Sequence, residues 1–295
     1  MKKAIQYSLA VCLFSWAAFG VFYAVTGGEP ASNKILFTLF ETFYMFFPLI
    51  VAVVLQKVRK EPLNSTGLLN FRISWAWLAA MLMPVAAVLV CIPVSALFPG
   101  VSLNYGAEQV ISEFGLDESA AATIKAQFED LSPWVMVGAQ AVSGLIAGCT
   151  INGLFAFGEE YGWRHYLVGA LEGRRFWQKA LFIGLVWGIW HAPLILQGHN
   201  YPQHPVAGVG MMCVFCILIG AVELYFVLKT RSVFPAAIIH GTFNALVGMV
   251  LFFVEGGNDL TVGLTGAAGF ISLALVCAGI YVYDRYVSRD CIMMS

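Results

Sequence analysis

Six polar side chains in the second half of the chain could together support hydrolytic chemistry. They are Glu159, Glu160 and Arg164 in "EEYGWR", His191 in "WGIWH", and His240 and Asn244 in "HGTFN". A carboxylate or an imidazole can take a proton from water, and imidazole and amide N–H groups can donate hydrogen bonds to an oxyanion. This set of residue types is therefore compatible with hydrolysis of a peptide or amide bond without a covalent enzyme intermediate.

The spacing of these residues predicts which of them share a helix face. Glu160 and Arg164 are four residues apart and lie on one face if their helix continues to about residue 171. Glu159 then projects about 100° away, towards a different neighbour. His240 and Asn244 are also four apart and face the same way, so we expect them to act at one site.

The same residues could instead hold a metal ion, because histidine and glutamate are competent zinc ligands. If the chemistry is metal-dependent, the ligands would be Glu159, His191 and His240. The HExxH signature of many zinc proteases is missing from the sequence. We therefore expect no cofactor, and zinc remains the alternative.

The elements that must position these groups are membrane helices. Of the 295 residues, 60% are hydrophobic and only 11% are charged, whereas about a quarter of a soluble domain is charged. The apolar residues form blocks of about 20, long enough to cross a bilayer. The pattern predicts an all-α, polytopic protein with one membrane domain, residues 1–295, and a motif-bearing core at about 133–254. The eight predicted spans are 4–26, 35–55, 74–98, 133–157, 177–197, 208–228, 233–254 and 262–283.

The distribution of basic residues predicts the orientation of the bundle. With the N-terminus inside, all of the sixteen Lys and Arg residues except Lys34 and Lys125 fall in inside segments, as the positive-inside rule requires. We therefore expect both termini to be cytoplasmic, in the cell membrane if the source is prokaryotic. Apolar residues at helical spacing in the outside loop, about 99–132, indicate short helices over the outer face; a solvated loop is the alternative. A net charge of −1 gives no indication of a nucleic-acid partner.

The three motifs, in this order, resemble the CAAX prenyl protease 2 (Rce1-type) family. That family also takes in the bacteriocin-processing and immunity-associated membrane proteases of the CPBP (Abi) group. The resemblance covers about residues 133–254. It implies an intramembrane glutamate protease with a helical bundle, a polar cavity open to the cytosolic side, and a peptide or protein substrate, membrane-anchored or prenylated substrates among them.

The resemblance also implies roles for the motif residues. By this resemblance, Glu159 and His191 activate the water, and His240 and Asn244 form the oxyanion site. Glu160 and Arg164 support and orient these four residues. A metal-dependent mechanism has also been argued for this family, and the sequence does not decide between the two.

Two features depart from a simple match. The second motif of the family is usually FxxxH, but the residue four before His191 is Trp187, which affects the prediction of substrate more than that of hydrolysis. His191 also lies deeper along its span than His240. We therefore expect the fifth helix to begin late, tilt or bend, and Pro193 could kink it.

Two other functions remain open from the sequence. A proton-coupled transporter could use Glu41, Glu159, Glu223 and the histidines as a proton path, although no internal repeat is visible. A non-catalytic immunity or chaperone protein could keep the same scaffold. Taken singly, each motif also has a structural interpretation, such as an interfacial salt bridge or a hydrogen bond between helices. Glu41 and Glu223 each stand alone in a span, where structural pairing and proton handling are both possible.

Overall fold

The computed structural model describes residues 1–71 and 73–295 and consists almost entirely of helices. Arg72, one of the residues expected inside, lies outside the described residues. Within the described chain the α-helices are α1 Lys2–Val25, α2 Lys34–Tyr44, α3 Phe47–Val58, α4 Trp75–Ser95, α5 Glu108–Phe114, α6 Glu118–Asp130, α7 Pro133–Cys149, α8 Ile151–Glu160, α9 Leu167–Ala170, α10 Phe176–Trp190, α11 Ala192–Ile195, α12 Pro205–Thr230, α13 Phe234–Leu246 and α14 Ala267–Val282.

Short elements complete the chain between these helices. Two π-helical segments continue α8 and α14, and two short strands pair antiparallel. The π-helices are Tyr161–Tyr166 and Tyr283–Ser288, the 3₁₀ turns are Pro30–Ser32, Met249–Phe252 and Ile292–Met294, and the strands are β1 Ser102–Leu103 and β2 Val254–Glu255.

Six helical segments in the described chain are long and apolar enough to cross a membrane, with α2 and α3 counted together as Lys34–Val58 and α13 continued to Phe252. A bent pair, α7 with Ile151–Ala170, makes a seventh. The predicted all-α polytopic bundle is thus confirmed. The fifth predicted span forms only the 15-residue helix α10, followed by the four-residue α11. A helix of that length spans about 22 Å, less than a hydrocarbon core of about 30 Å. The count of eight spans therefore stays a prediction.

The fourth predicted span is interrupted rather than continuous. The helix axis bends by 53° at Thr150, between α7 and α8. Gly153 is required here, because a Cβ atom would collide with the carbonyl oxygen of Gly148. After the bend, the Asn152 side-chain amide donates a hydrogen bond to the carbonyl of Gly241, 3.2 Å away. The bend therefore brings α8, which carries the glutamates, against α13, which carries His240.

Two glycines allow α10 to pack closely against α12. A Cβ atom at Gly184 or Gly188 would collide with the α12 backbone, at Ile217 and Cys213 respectively. Small residues four apart are a common means by which membrane helices approach each other, since packing rather than hydrophobicity holds them together. This contact fixes the position of Trp187, which lies next to Gly188 on α10.

The two ends of the bundle differ in composition. At one end, the N-terminus, the loop after α3, the start of α10 and the C-terminus meet: Lys3 pairs with Glu61 at 2.6 Å, and the Phe176 amide donates to the carbonyl of Ser295 at 2.7 Å. We call this the basic end, because Lys2, Lys3, Lys57, Arg59, Lys60, Arg174, Arg175, Lys179, Lys229, Arg231, Arg285 and Arg289 lie in its segments.

We call the opposite end the loop end, because it is formed by residues 26–34, 96–132, 196–204 and 253–266. Strands β1 and β2 pair there. The short helices predicted between residues 99 and 132 are present as α5 and α6. They are tied down by Tyr105, whose hydroxyl donates to the carbonyl of Leu131 at 2.9 Å.

The close contact between α10 and α12 leads to a stability prediction. Gly188→Ala should lower stability by about 1–3 kcal/mol, because the added methyl group overpacks a helix interface. Gly279→Ala on α14 is the matched control, since nothing lies within 4 Å of a Cβ atom there, and alanine favours the helix. Thermal unfolding followed by tryptophan fluorescence in detergent measures both. Equal midpoints for the two variants would contradict the packing described here.

Candidate active site

Four of the six candidate residues line one cavity. Glu159, His191, His240 and Asn244 all contribute to the wall of a pocket of about 360 Å³ between α2, α8, α10, α12 and α13. The other two, Glu160 and Arg164, are fully buried beside it. The structure therefore brings together residues that are up to 85 positions apart in the sequence, from Glu159 to Asn244.

Glu159 is held in place by two tryptophans. Its Oε2 atom accepts hydrogen bonds from the indole N–H of Trp187 at 2.6 Å and from that of Trp163 at 3.3 Å. Its Oε1 atom lies 4.0 Å from Nε2 of His240. One carboxylate oxygen thus accepts from two donors, while the other faces the histidine. The side chain is only 2% exposed, so its orientation is set by these partners rather than by solvent.

Glu160 orients His240. The Nδ1 atom of His240 lies 2.9 Å from Oε1 of Glu160, and the imidazole edge packs against the ring of Trp187, with centroids 5.2 Å apart. Because an ionised carboxylate can only accept a hydrogen bond, this contact assigns the proton of that pair to Nδ1. The other ring nitrogen, Nε2, is left pointing towards Glu159.

Arg164 neutralises the buried acidic groups. Its Nε atom lies 3.2 Å from Oε2 of Glu160, and its Nη2 atom forms an ion pair with Oε2 of Glu223 on α12. The guanidinium also lies over the ring of Trp187, 4.4 Å from the centroid. The shared helix face predicted for Glu160 and Arg164 is confirmed. Glu223, whose role the sequence left open, is paired with this arginine.

His191 lies at the end of α10, where the helix is interrupted. It caps α10 and precedes α11, in which Pro193 is the second residue, so the interruption predicted near that proline is present. Its Nδ1 atom lies 2.8 Å from the carbonyl oxygen of Trp187. A carbonyl cannot donate, so Nδ1 carries the proton, and in the neutral ring Nε2 is the acceptor.

Asn244 and Glu41 complete the polar part of the wall. Asn244 follows His240 by one helical turn on α13, and its side chain is exposed to the cavity. Glu41 on α2 lies nearer the loop end, where its Oε1 atom is 2.6 Å from Nδ1 of His199. The two glutamates that the sequence left unassigned, Glu41 and Glu223, therefore both have a charged or ionisable partner.

The residues best placed for a metal ion differ from those predicted. Among the described residues, the His and acidic groups whose ligand atoms all lie within 4.8 Å of one another are Glu160, Glu223 and His240. This grouping shares only His240 with the predicted set of Glu159, His191 and His240. Arg164 already forms ion pairs with Glu160 and Glu223, the two carboxylates of this grouping. The donor set therefore fits a carboxylate pair neutralised by arginine better than it fits a divalent cation.

Sequence reasoning missed the role of two tryptophans. Trp187 was noted only as a departure from a motif, and Trp163 was not singled out, yet both donate to Glu159. A local signal existed for Trp163, which follows Glu159 by four residues and so shares its helix face. No comparable signal existed for Trp187, because its contact with Glu159 joins two different helices.

Comparison with known proteins gives one match, to a family model that covers part of the chain. Residues 138–246 match the family model described as "Rce1-like: Type II CAAX prenyl endopeptidase Rce1-like". The matched range contains the cavity residues on α8, α10 and α13, and it also contains Arg164 and Glu223. No curated protein matches the chain.

The ion pairs of Arg164 lead to a second stability prediction. Arg164→Gln should cost about 3–5 kcal/mol, because it leaves Glu160 and Glu223 as uncompensated buried charges. Arg174→Gln removes the same charge from an exposed position at the basic end and should change stability by less than about 0.5 kcal/mol. Thermal unfolding in detergent compares the two.

The double variant distinguishes pairing from simple side-chain loss. Adding Glu223→Gln to Arg164→Gln should recover part of the lost stability, since one of the unpaired acids is then neutral. If the two substitutions are additive, Arg164 and Glu223 are not energetically coupled and the ion pair is not formed.

Proposed function

The chain belongs to the Rce1-like family of type II CAAX prenyl endopeptidases through residues 138–246, and we propose that it cleaves peptide bonds with water activated by Glu159 and His191. At the coarser level, it is an integral multi-pass membrane protein of the CAAX-protease type, which acts on a protein or peptide substrate. The mechanism, the roles of individual residues and the absence of a metal are our proposal.

The carboxylate of Glu159 is the proposed general base. Its Oε1 atom is the oxygen that the two indole donors leave free, so it can accept a proton from a water molecule in the cavity. His191 presents Nε2 as a second acceptor, because Nδ1–H is committed to the carbonyl of Trp187. The water oxygen then attacks the carbonyl carbon of the scissile peptide, and its proton passes to this pair.

His240 and Asn244 are the proposed oxyanion donors. With Nδ1–H held by Glu160, a doubly protonated His240 offers Nε2–H to the negative oxygen that develops in the transition state, and Asn244 offers its amide N–H. One such donor is worth about 3–4 kcal/mol of transition-state stabilisation. When the tetrahedral intermediate collapses, the C–N bond breaks and the leaving amine takes the proton from the base.

The formal charges of the cluster support this assignment. Glu159, Glu160 and Glu223 carry three negative charges, and Arg164 and a protonated His240 carry two positive charges. Within this cluster one negative charge is thus left without a cationic partner, which suits a site that must accept a proton from water. Arg164 and Glu160 thus act through His240 rather than on the substrate.

One observation carries the proposal. Four residues chosen for hydrolytic chemistry, on three separate helical segments, line the same cavity, and the carboxylate among them has one oxygen fixed by indole donors and the other facing an imidazole. A structural salt bridge or a packing histidine does not require this convergence.

Glu159→Gln tests the general base with little change in shape. Cleavage should fall by at least about a hundredfold, because an amide cannot accept the proton, while the thermal midpoint should stay close to that of the wild type. Natural substrates are first found by comparing the peptides that accumulate in native membranes with and without active enzyme. The purified protein is then assayed in detergent on a synthetic peptide that spans the cleavage site.

Glu172→Gln is the matched control, since Glu172 is exposed at the basic end and has no part in the cavity. It should cleave at the wild-type rate. Wild-type rates for both Glu159→Gln and His240→Ala would show that the cavity is not the site of hydrolysis.

The absence of a metal is tested separately. Because Arg164 already neutralises Glu160 and Glu223, the carboxylates grouped with His240, we expect cleavage to survive treatment with 1,10-phenanthroline and the purified protein to contain less than one equivalent of zinc. Loss of activity on chelation, restored by zinc alone, would establish the metal-dependent alternative.

A further inference from the structure

We propose that the active-site cavity opens on the extracytoplasmic side of the membrane, so that the substrates are peptide segments exposed on that side. The statement about substrates rests on the proposed function. The orientation of the chain in the membrane can be measured without any assay of cleavage. It follows from two observations, the direction in which the cavity opens and the distribution of charge between the two ends of the bundle.

The cavity opens towards the loop end. Glu41, His199, Asn200 and Thr265 belong both to its wall and to that of a neighbouring cavity of about 520 Å³. The remaining wall of this second cavity includes loop-end residues, namely Ala31, Lys34, Gln109, Pro202, Asn258 and Asp259. The two cavities therefore adjoin, and together they extend from the loops at this end to Glu159.

The cavity is closed towards the basic end. From Glu159 the chain continues in that direction through the π-helix Tyr161–Tyr166, all six residues of which are buried. Arg164 and Glu223 fill the interior on this side with no exposure. The Tyr7 hydroxyl, which donates to the carbonyl of Pro48 at 2.9 Å, packs α1 and α3 against the same segment. Buried side chains therefore fill the interior between Glu159 and the basic end.

The two ends carry very different numbers of basic residues. Twelve of the sixteen Lys and Arg residues lie at the basic end, while Lys34 and Lys125 lie at the loop end. Arg164 is buried within the bundle, and Arg72 is outside the described residues. Lys34 contacts the carbonyl of Gly115, and Lys125 pairs with Glu108, which confirms that both are at the loop end. The loops at both ends are short, which is the condition under which the positive-inside rule applies.

These observations conflict with one expectation from the sequence. The resemblance to the prenyl protease family implied a cavity open to the cytosol, whereas the basic residues predicted cytoplasmic termini. The cavity opens at the end opposite to the termini. A cytosolic cavity and cytoplasmic termini therefore exclude each other. A cytosolic cavity would place twelve basic residues outside and two inside, the reverse of the usual distribution. The charge distribution therefore favours an extracytoplasmic cavity.

Cysteine accessibility tests the orientation. In a chain whose seven native cysteines are replaced by serine or alanine, single cysteines are introduced as Thr265→Cys at the cavity mouth, Ser119→Cys on α6 and Glu172→Cys at the basic end. Intact cells are treated with a membrane-impermeant maleimide. We expect Thr265→Cys and Ser119→Cys to be labelled in intact cells and Glu172→Cys to be labelled only after the cells are opened.

The reverse pattern, with Glu172→Cys labelled in intact cells and the other two protected, would overturn the proposal. If the cysteine-free chain does not fold, reporter fusions to the native C-terminus replace it: a green fluorescent protein should fluoresce there and an alkaline phosphatase should be inactive. An active phosphatase would again overturn the proposal. Cleavage in detergent has no sidedness, so failure of the Glu159→Gln test would remove the enzyme function and leave the orientation unaffected.

Discussion

The arrangement depends on neutralising buried charge within an apolar bundle. Glu160 and Glu223 are both fully buried, and Arg164 pairs with each of them. An unpaired ionised group in this environment costs several kcal/mol, so the arginine ties the segment after α8 to α12. Glu160 in turn binds His240 on α13. One cation thereby fixes the relative positions of three helical segments and, through them, the imidazole that faces Glu159.

Backbone geometry makes this charge network possible. Without the bend at Thr150, α8 would not run beside α13. Without Gly188, α10 could not pack closely against α12, and this packing sets the position of Trp187. The π-helix Tyr161–Tyr166 follows the two glutamates directly, and such segments often occur at functional sites. Trp187 links the two parts of the cluster, because it donates to Glu159 and stacks beneath Arg164.

Local patterns in the sequence predicted the parts of this site that depend on helical periodicity. The shared face of Glu160 and Arg164, the turn that separates His240 from Asn244 and the all-helical membrane class all follow from spacing and composition. The partner of Glu223, the indole donors to Glu159 and the short α10 helix could not be predicted, since each depends on contacts between helices distant in sequence. The direction of the cavity was likewise inaccessible, because it depends on which loops surround the mouth.

Hydrolysis at this site requires a hydrated cavity around one activated carboxylate, and an experimental structure at a resolution that shows ordered water tests this most directly. A cryo-electron microscopy map of the protein in lipid nanodiscs should show a water molecule within hydrogen-bond distance of Oε1 of Glu159, with Nε2 of His191 directed at the same cavity. A map in which these side chains face separate places, or in which the cavity is dry and filled by apolar side chains, would contradict the account.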